Sequence, residues 1–164
     1  MTSSDELLGD LLRQVSRSFY LSLAILPRPL REPLGLAYLL ARAADTVADT
    51  RLIARSERIG HLDTLRRAYT GAPADVAGVA AACAPHQAHA AERRLLERVG
   101  AVLAAVAALP PSDRERVRGV LTTITDGMLF DLDRFPGEDA ASRERWARWR
   151  SVQNSPTHPA TRYV

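Results

Sequence analysis

The sequence predicts an all-α protein, and three observations carry that reading. Apolar residues recur at three- and four-residue spacing through most of the chain. Pro27, Pro29, Gly71, Pro110, Pro111, Pro136 and Gly137 punctuate those stretches at intervals suited to helices. No run sustains the period-two alternation, bounded by turn residues, that a strand needs.

Five helices follow in order. Ser3 or Ser4 caps the first, with Asp5 and Glu6 in its positive first turn, and the apolar series Leu8, Leu11, Leu12, Val15, Phe19 and Leu23 carries it to Pro27 and Pro29. The second begins near Pro33, which a first turn tolerates, and runs to about Arg55. It is apolar nearly all round, as a helix in the middle of a bundle must be. Ser56 caps the third, "ERIGHLDTLRRAYT", which Gly71 ends before a loop, "GAPADVAG". The fourth, "HQAHAAERRLLERVGAVLAAVAAL", stops at Pro110–Pro111; Ser112 or Asp113 caps the fifth, which ends at Pro136–Gly137. Residues 1–138 thus form one helical domain, and residues 139–164 a short arginine-tryptophan helix and a loose tail, "NSPTHPATRYV".

A chain of 164 residues buries roughly two thirds of its unfolded surface, enough for a sizeable core. Hydrophobic content of 46% with 25% charged residues argues against general disorder. The net charge of +3 and pI near 9.6 do not point to nucleic acid, because the 22 basic residues, all arginine, are spread among 19 acids. Only "RERWARWR", residues 143–150, concentrates arginine with aromatics, and it reads as a solvated helix end whose arginine stems pack on two tryptophans. Cys83 stands alone, which excludes an intrachain disulfide and fits a reducing cytosol; it reads as a small buried or half-buried residue. The first residues do not resemble a signal peptide, and no apolar stretch reaches the roughly 20 residues of a membrane span. The expected setting is cytoplasmic, soluble or in peripheral contact with a membrane.

The second helix carries the chemistry. At 100° per residue from Tyr38, Arg42 falls at about 40°, Asp45 at about −20° and Asp49 at about 20°, one narrow polar stripe on an otherwise apolar helix. An unpaired buried carboxylate costs several kcal/mol, so the stripe must be ion-paired or line a wet cavity. One arrangement pairs Arg42 with Asp45 at i,i+3 and leaves Asp49 in water. The other lets both carboxylates share a divalent cation, and hard oxygen ligands without His or Cys favour Mg2+. Spacing leaves both open.

Residues 16–49, "SRSFYLSLAILPRPLREPLGLAYLLARAADTVAD", resemble the opening signature of the squalene and phytoene synthase family. The Ser-Arg-Ser-Phe stretch (Ser16 to Phe19), the Leu26-Pro27 turn, Tyr38, Arg42 and the D-x-x-x-D of Asp45 and Asp49 stand in register with it. A weaker likeness continues through "ITDGMLFDLDRF", residues 124–135.

The resemblance implies an isoprenoid-synthase-type helical bundle that condenses two farnesyl or geranylgeranyl diphosphates head to head, through Mg-assisted ionisation. By the same resemblance Asp45 and Asp49 hold Mg2+, Arg42 and Arg17 contact diphosphate, Ser16 and Ser18 position it, Tyr38 lines the cavity beside the reacting carbons, and Phe19 faces the prenyl tail or packs in the core. NADPH enters only for a squalene-type product, and no glycine-rich dinucleotide fingerprint is present.

After the Gly-Met pair of Gly127 and Met128, the family's Tyr- and Gly-containing segment with a Val-Ala-Gly core, its Gln-x-x-Asn pattern and its second D-x-x-x-D do not follow in this sequence. Asp126, Asp131 and Asp133 have the wrong spacing to replace them and read as surface or helix-end acids; His61, His86, His89 and His158 lack a partner pattern. Three readings follow: an enzyme completed by another chain, an inactive member that binds prenyl diphosphate or pairs with a full-length homologue, or a truncated or frame-shifted product.

Overall fold

A computed structural model of the protein describes residues 7–134 and residue 148. The caps at Ser3 or Ser4, the Pro136–Gly137 stop, His158, and the helix and tail expected over residues 139–164, Arg148 apart, lie outside the described residues. The chain divides into two units, Met1–Leu129 and Phe130–Val164. The described elements belong to the first, apart from the last turn of the final helix.

Those elements are helical, with no strand among the described residues. A π-helical turn, Leu7–Leu11, leads into α1 (Leu12–Val15), followed by α2 (Arg17–Ala24), α3 (Arg28–Asp49) and α4 (Arg55–Thr70). Then come α5 (Val76–Cys83), a 3-10 turn (Ala84–His86), α6 (Ala90–Glu97), α7 (Val99–Ala108) and α8 (Pro111–Arg134). The all-α expectation holds; several boundaries do not.

The first predicted helix is broken at Ser16, whose backbone is extended (φ −157°, ψ 102°). The Ser16 hydroxyl accepts a 3.2 Å hydrogen bond from the Phe19 N–H and so starts α2 afresh. The second helix begins at Arg28, not Pro33, and stops at Asp49, not Arg55. Pro33 is absorbed inside it because the ring forgoes one hydrogen bond near the N-terminus, where Pro29 already occupies the first turn. The third starts at Arg55 and not after a Ser56 cap; the Glu57 carboxylate accepts from the Ala54 N–H at 3.2 Å. Part of the expected "GAPADVAG" loop is α5: the Asp75 side chain accepts from the Gly78 N–H at 2.8 Å and caps an apolar segment that the loop reading overlooked. The fourth predicted helix starts late, at Ala90, and bends at Arg98 (φ −103°, ψ 2°) into α6 and α7. The fifth starts at Pro111, in keeping with proline's preference for a first turn, and Asp113 pairs with Arg116 at 2.9 Å.

α3 lies at the centre, packed against α2, α4, α6 and α7. Leu36, Leu39, Leu40, Ala43, Ala44 and Val47 are wholly buried along one face, whereas the opposite face, which the apolar pattern predicted to be buried too, is half-buried or exposed, with Leu34 at 43%. α4 turns a stripe of Arg58, Leu62, Leu65 and Tyr69 towards the core. Two of these bind α3's backbone: Tyr69 donates its hydroxyl to the Leu40 carbonyl at 3.0 Å, and Arg58 donates Nη1 to the Ala48 carbonyl at 2.6 Å. Ala48 is in the last turn, where carbonyls lack intrahelical partners, so Arg58 caps the C-terminus with a charge of the favourable sign. Gly71 closes α4 in the left-handed region (φ 86°), as its position predicted. Against the other side of α3, a Cβ at Gly35 would collide with Leu8. No helix among the described residues is long and apolar enough to cross a membrane.

Two measurements check this core. Leu39→Ala is expected to cost about 3 kcal/mol in urea unfolding, since a fully buried leucine on the central helix leaves a cavity on every side. Cys83 is buried, as expected, and burial pushes its thiol up from 9.0 to about 11. The fold favours the protonated thiol, so its contribution to stability is complete below pH 9.0 and is lost as pH rises towards about 11. At pH 8 the native thiol is expected to resist iodoacetamide and to react once urea unfolds the chain.

Candidate functional site

The C-terminal half of α3 brings its polar stripe to one cavity of about 280 Å³, lined by Arg42, Asp45 and Asp49 from α3 and by His86, Gln87 and Glu92 from across it. Helical spacing puts the three α3 side chains on one face. The facing residues arrive from the 3-10 turn, the link after it and α6.

Arg42 is the hub. Its Nη1 meets Asp45 Oδ2 at 2.6 Å and its Nη2 meets Glu92 Oε1 at 2.6 Å, while its Nε is buried with no hydrogen-bond partner among the described residues. Burial alone would lower the pKa of the guanidinium, but Asp45 and Glu92, with Tyr38 nearby, hold it above its ordinary value. Arg42 therefore stays charged. The Arg42–Asp45 pair is one of the two arrangements that spacing left open; Glu92, fifty positions away in sequence, was not foreseen. Its only signal in the chain is a lone acid in the first turn of a helix, which usually means no more than a favourable dipole interaction.

Below the ion pairs runs a ladder of hydroxyls. Thr46 donates to the Arg42 carbonyl at 2.8 Å and Thr50 to the Thr46 carbonyl at 2.6 Å. Gln87 Nε2 then donates to Thr50 Oγ1 at 2.8 Å and to the Cys83 carbonyl at 2.9 Å. Thr46, Thr50 and Gln87 are buried. This ladder ties the end of α3 to the turn after α5, and spacing could have found it, because Thr46 and Thr50 each follow an aspartate of the D-x-x-x-D.

The remaining candidates are dispersed along α2 and α3. Tyr38 stacks on Phe19 with ring centroids 4.2 Å apart and planes 16° from parallel. Ser16 is the cap of α2, Arg17 its first residue, with a side chain outside the described residues, and Ser18 is exposed. Asp126, Asp131 and Asp133 are exposed on α8, and Asp126 lies 3.5 Å from Arg66, a surface pairing.

Among the described residues, no group of three or more His, Cys, Asp and Glu side chains could hold a metal ion between them. Asp45 and Asp49 are a sparser donor set. The exposed Asp49 carboxylate accepts no hydrogen bond among the described residues, and only Oδ2 of Asp45 is engaged. Two carboxylates on an open cavity fit Mg2+, which keeps several waters and is commonly completed by substrate phosphates.

The ladder is open to measurement. Thr50→Val keeps the shape but removes the acceptor for Gln87 and the donor to Thr46, and is expected to lower stability by about 1 kcal/mol in urea titration.

No curated protein and no solved structure gives a significant match to the chain. A profile of the family described as squalene/phytoene synthase matches residues 12–148, which include every helix from α1 to α8 and the whole polar stripe of α3. That family has an all-α isoprenoid synthase fold and condenses prenyl diphosphates head to head. The match takes in most of the chain, and on it this protein belongs to the squalene/phytoene synthase family.

Proposed function

We propose that this chain binds the diphosphate of a farnesyl or geranylgeranyl substrate with Mg2+ at the C-terminal half of α3, and there supplies the ionising wall of a head-to-head condensation to a squalene- or phytoene-type product. The observation that carries the reading is the convergence of Arg42, Asp45 and Asp49 on one cavity within the segment that matches the family.

The charges of the cavity support it. Three carboxylates, Asp45, Asp49 and Glu92, face two guanidiniums, Arg42 and Arg51, a net charge of −1 with His86 neutral. Such a lining repels a bare diphosphate and attracts a divalent cation. Mg2+, when bound, neutralises the diphosphate oxygens and makes the group easier to expel. Asp45 and Asp49 would hold it. Arg42, held at the cavity by Asp45 and Glu92, supplies a fixed positive charge suited to an oxygen on which charge develops. Ser16 spends its oxygen lone pair on the Phe19 N–H and keeps its own hydrogen to donate to diphosphate, with Arg17 and Ser18 beside it in the chain. The stacked rings of Phe19 and Tyr38 offer an aromatic surface near Arg42, fit to pack a prenyl tail or to face an allylic cation.

Condensation needs a second acidic wall, and this sequence contains one D-x-x-x-D. Residues outside these 164 would supply the other. A cytoplasmic chain in peripheral contact with a membrane suits so apolar a substrate tail, and NADPH would serve only a squalene-type product.

The test uses radiolabelled farnesyl diphosphate and the purified chain, with and without Mg2+ and NADPH. Expected are Mg2+-dependent binding, weakened at least about tenfold by Asp45→Ala or Asp49→Ala, and little turnover by this chain alone. Condensed product is expected when a chain bearing a second D-x-x-x-D is added. Binding indifferent to Mg2+ and to both substitutions would sink the proposal.

A further inference from the structure

Glu92 and Asp45 compete for one guanidinium, and they are not equivalent. Asp45 lies on the same helix as Arg42 and its side chain is 42% exposed; Glu92 comes from α6 and is 19% exposed. Glu92 is also the third residue of α6, where the positive end of the helix favours a carboxylate. Asp45 faces a second demand that Glu92 does not: with Asp49 it forms the carboxylate pair at the mouth of the cavity. An oxygen that neutralises Arg42 is a poorer ligand for a cation, and an Arg42 clamped by two carboxylates has little charge left for a diphosphate.

The guanidinium is planar and its donors diverge in a fixed fork, so holding Nη2 fixes the direction of Nη1. We infer that Glu92 is a positioning residue: through Nη2 it holds Arg42 at the cavity when Asp45 turns from Nη1 to a divalent cation, which frees Nη1 for a diphosphate oxygen. Cation binding and the exposure of Arg42's charge are then one event. This rests on the diphosphate reading above and extends it, since it predicts an order: the cation creates the anion site.

Calorimetric titration of the full chain with inorganic pyrophosphate at several Mg2+ concentrations tests it. The wild-type chain is expected to bind pyrophosphate only with Mg2+. Glu92→Ala is expected to weaken that Mg2+-dependent binding about tenfold, the scale of one charge-assisted hydrogen bond. Glu92→Gln, which keeps the volume and an oxygen acceptor for Nη2, is expected to weaken it less. In an Arg42→Ala background, followed by 31P NMR at millimolar pyrophosphate, Glu92→Ala is expected to add no further loss, because its effect runs through Arg42.

Helical circular dichroism identifies any unfolded variant, and if Glu92→Ala unfolds, Glu92→Gln carries the comparison. Equal losses in the wild-type and Arg42→Ala backgrounds would overturn the inference, as would unchanged binding in folded Glu92 variants. If Asp45→Asn weakens binding while the Glu92 variants do not, only the role of Glu92 falls. If the wild-type chain binds no pyrophosphate with Mg2+, both readings fall.

Discussion

α3 has to bury one long apolar face at the centre of the bundle and still carry an arginine and two aspartates at its C-terminal half. Its apolar face draws the neighbouring helices onto it, and Leu36, Leu39, Leu40, Ala43, Ala44 and Val47 form one fully buried stripe over about three turns. Its polar minority forbids them to close over the last turns, because an enclosed, unpaired carboxylate would cost more than the packing returns. The cavity lies where these two demands meet. Buried polar groups from neighbouring segments attend to the same helix: Arg58 and Tyr69 reach its carbonyls from α4, and Gln87 reaches Thr50 from the turn after α5.

The helix end is thereby held from several directions while its charged face stays open. The threonine ladder satisfies backbone carbonyls beneath that face without using its carboxylates. What remains above is a set of charges with one more acid than base, balanced on Arg42. An arrangement of this kind is stable without a ligand, because Arg42 is doubly paired, and is receptive to a cation, because Asp49 is not paired at all among the described residues. Squalene/phytoene synthases act on substrates with a strongly anionic head and a long apolar tail. On the function proposed above, a negatively charged cavity would take such a head through a cation, and the aromatic pair of Phe19 and Tyr38 would pack the tail.

Much of this was legible in the chain. The central place of α3 follows from its long apolar face, although the apolar pattern overstated how far round the helix burial extends, and the stripe of Tyr38, Arg42, Asp45 and Asp49 follows from helical periodicity alone. Gly71 and the Pro110–Pro111 pair also acted where they stand, since conformations open to glycine or denied to proline are local properties. Local reading failed where two signals compete. Ser16 interrupts an apolar series that periodicity would have run straight through, because its side chain takes the Phe19 N–H that the Val15 carbonyl would accept in a continuous helix. Asp75 hid a helix in a stretch whose glycines, proline and alanines read as a loop.

Residue types and spacing determined that a helix would bury its length and present acids and an arginine together, because periodicity is written within a few turns of chain. They did not determine how those charges are divided. Glu92 meets Arg42 across fifty positions, and Gln87 meets Thr50 across thirty-seven. Both contacts exist because α6 and the turn before it are folded back against the end of α3. Tertiary structure alone decided that Arg42 serves two carboxylates while Asp49, among the described residues, accepts no hydrogen bond, because pairing among charges depends on distances in space that no local pattern encodes.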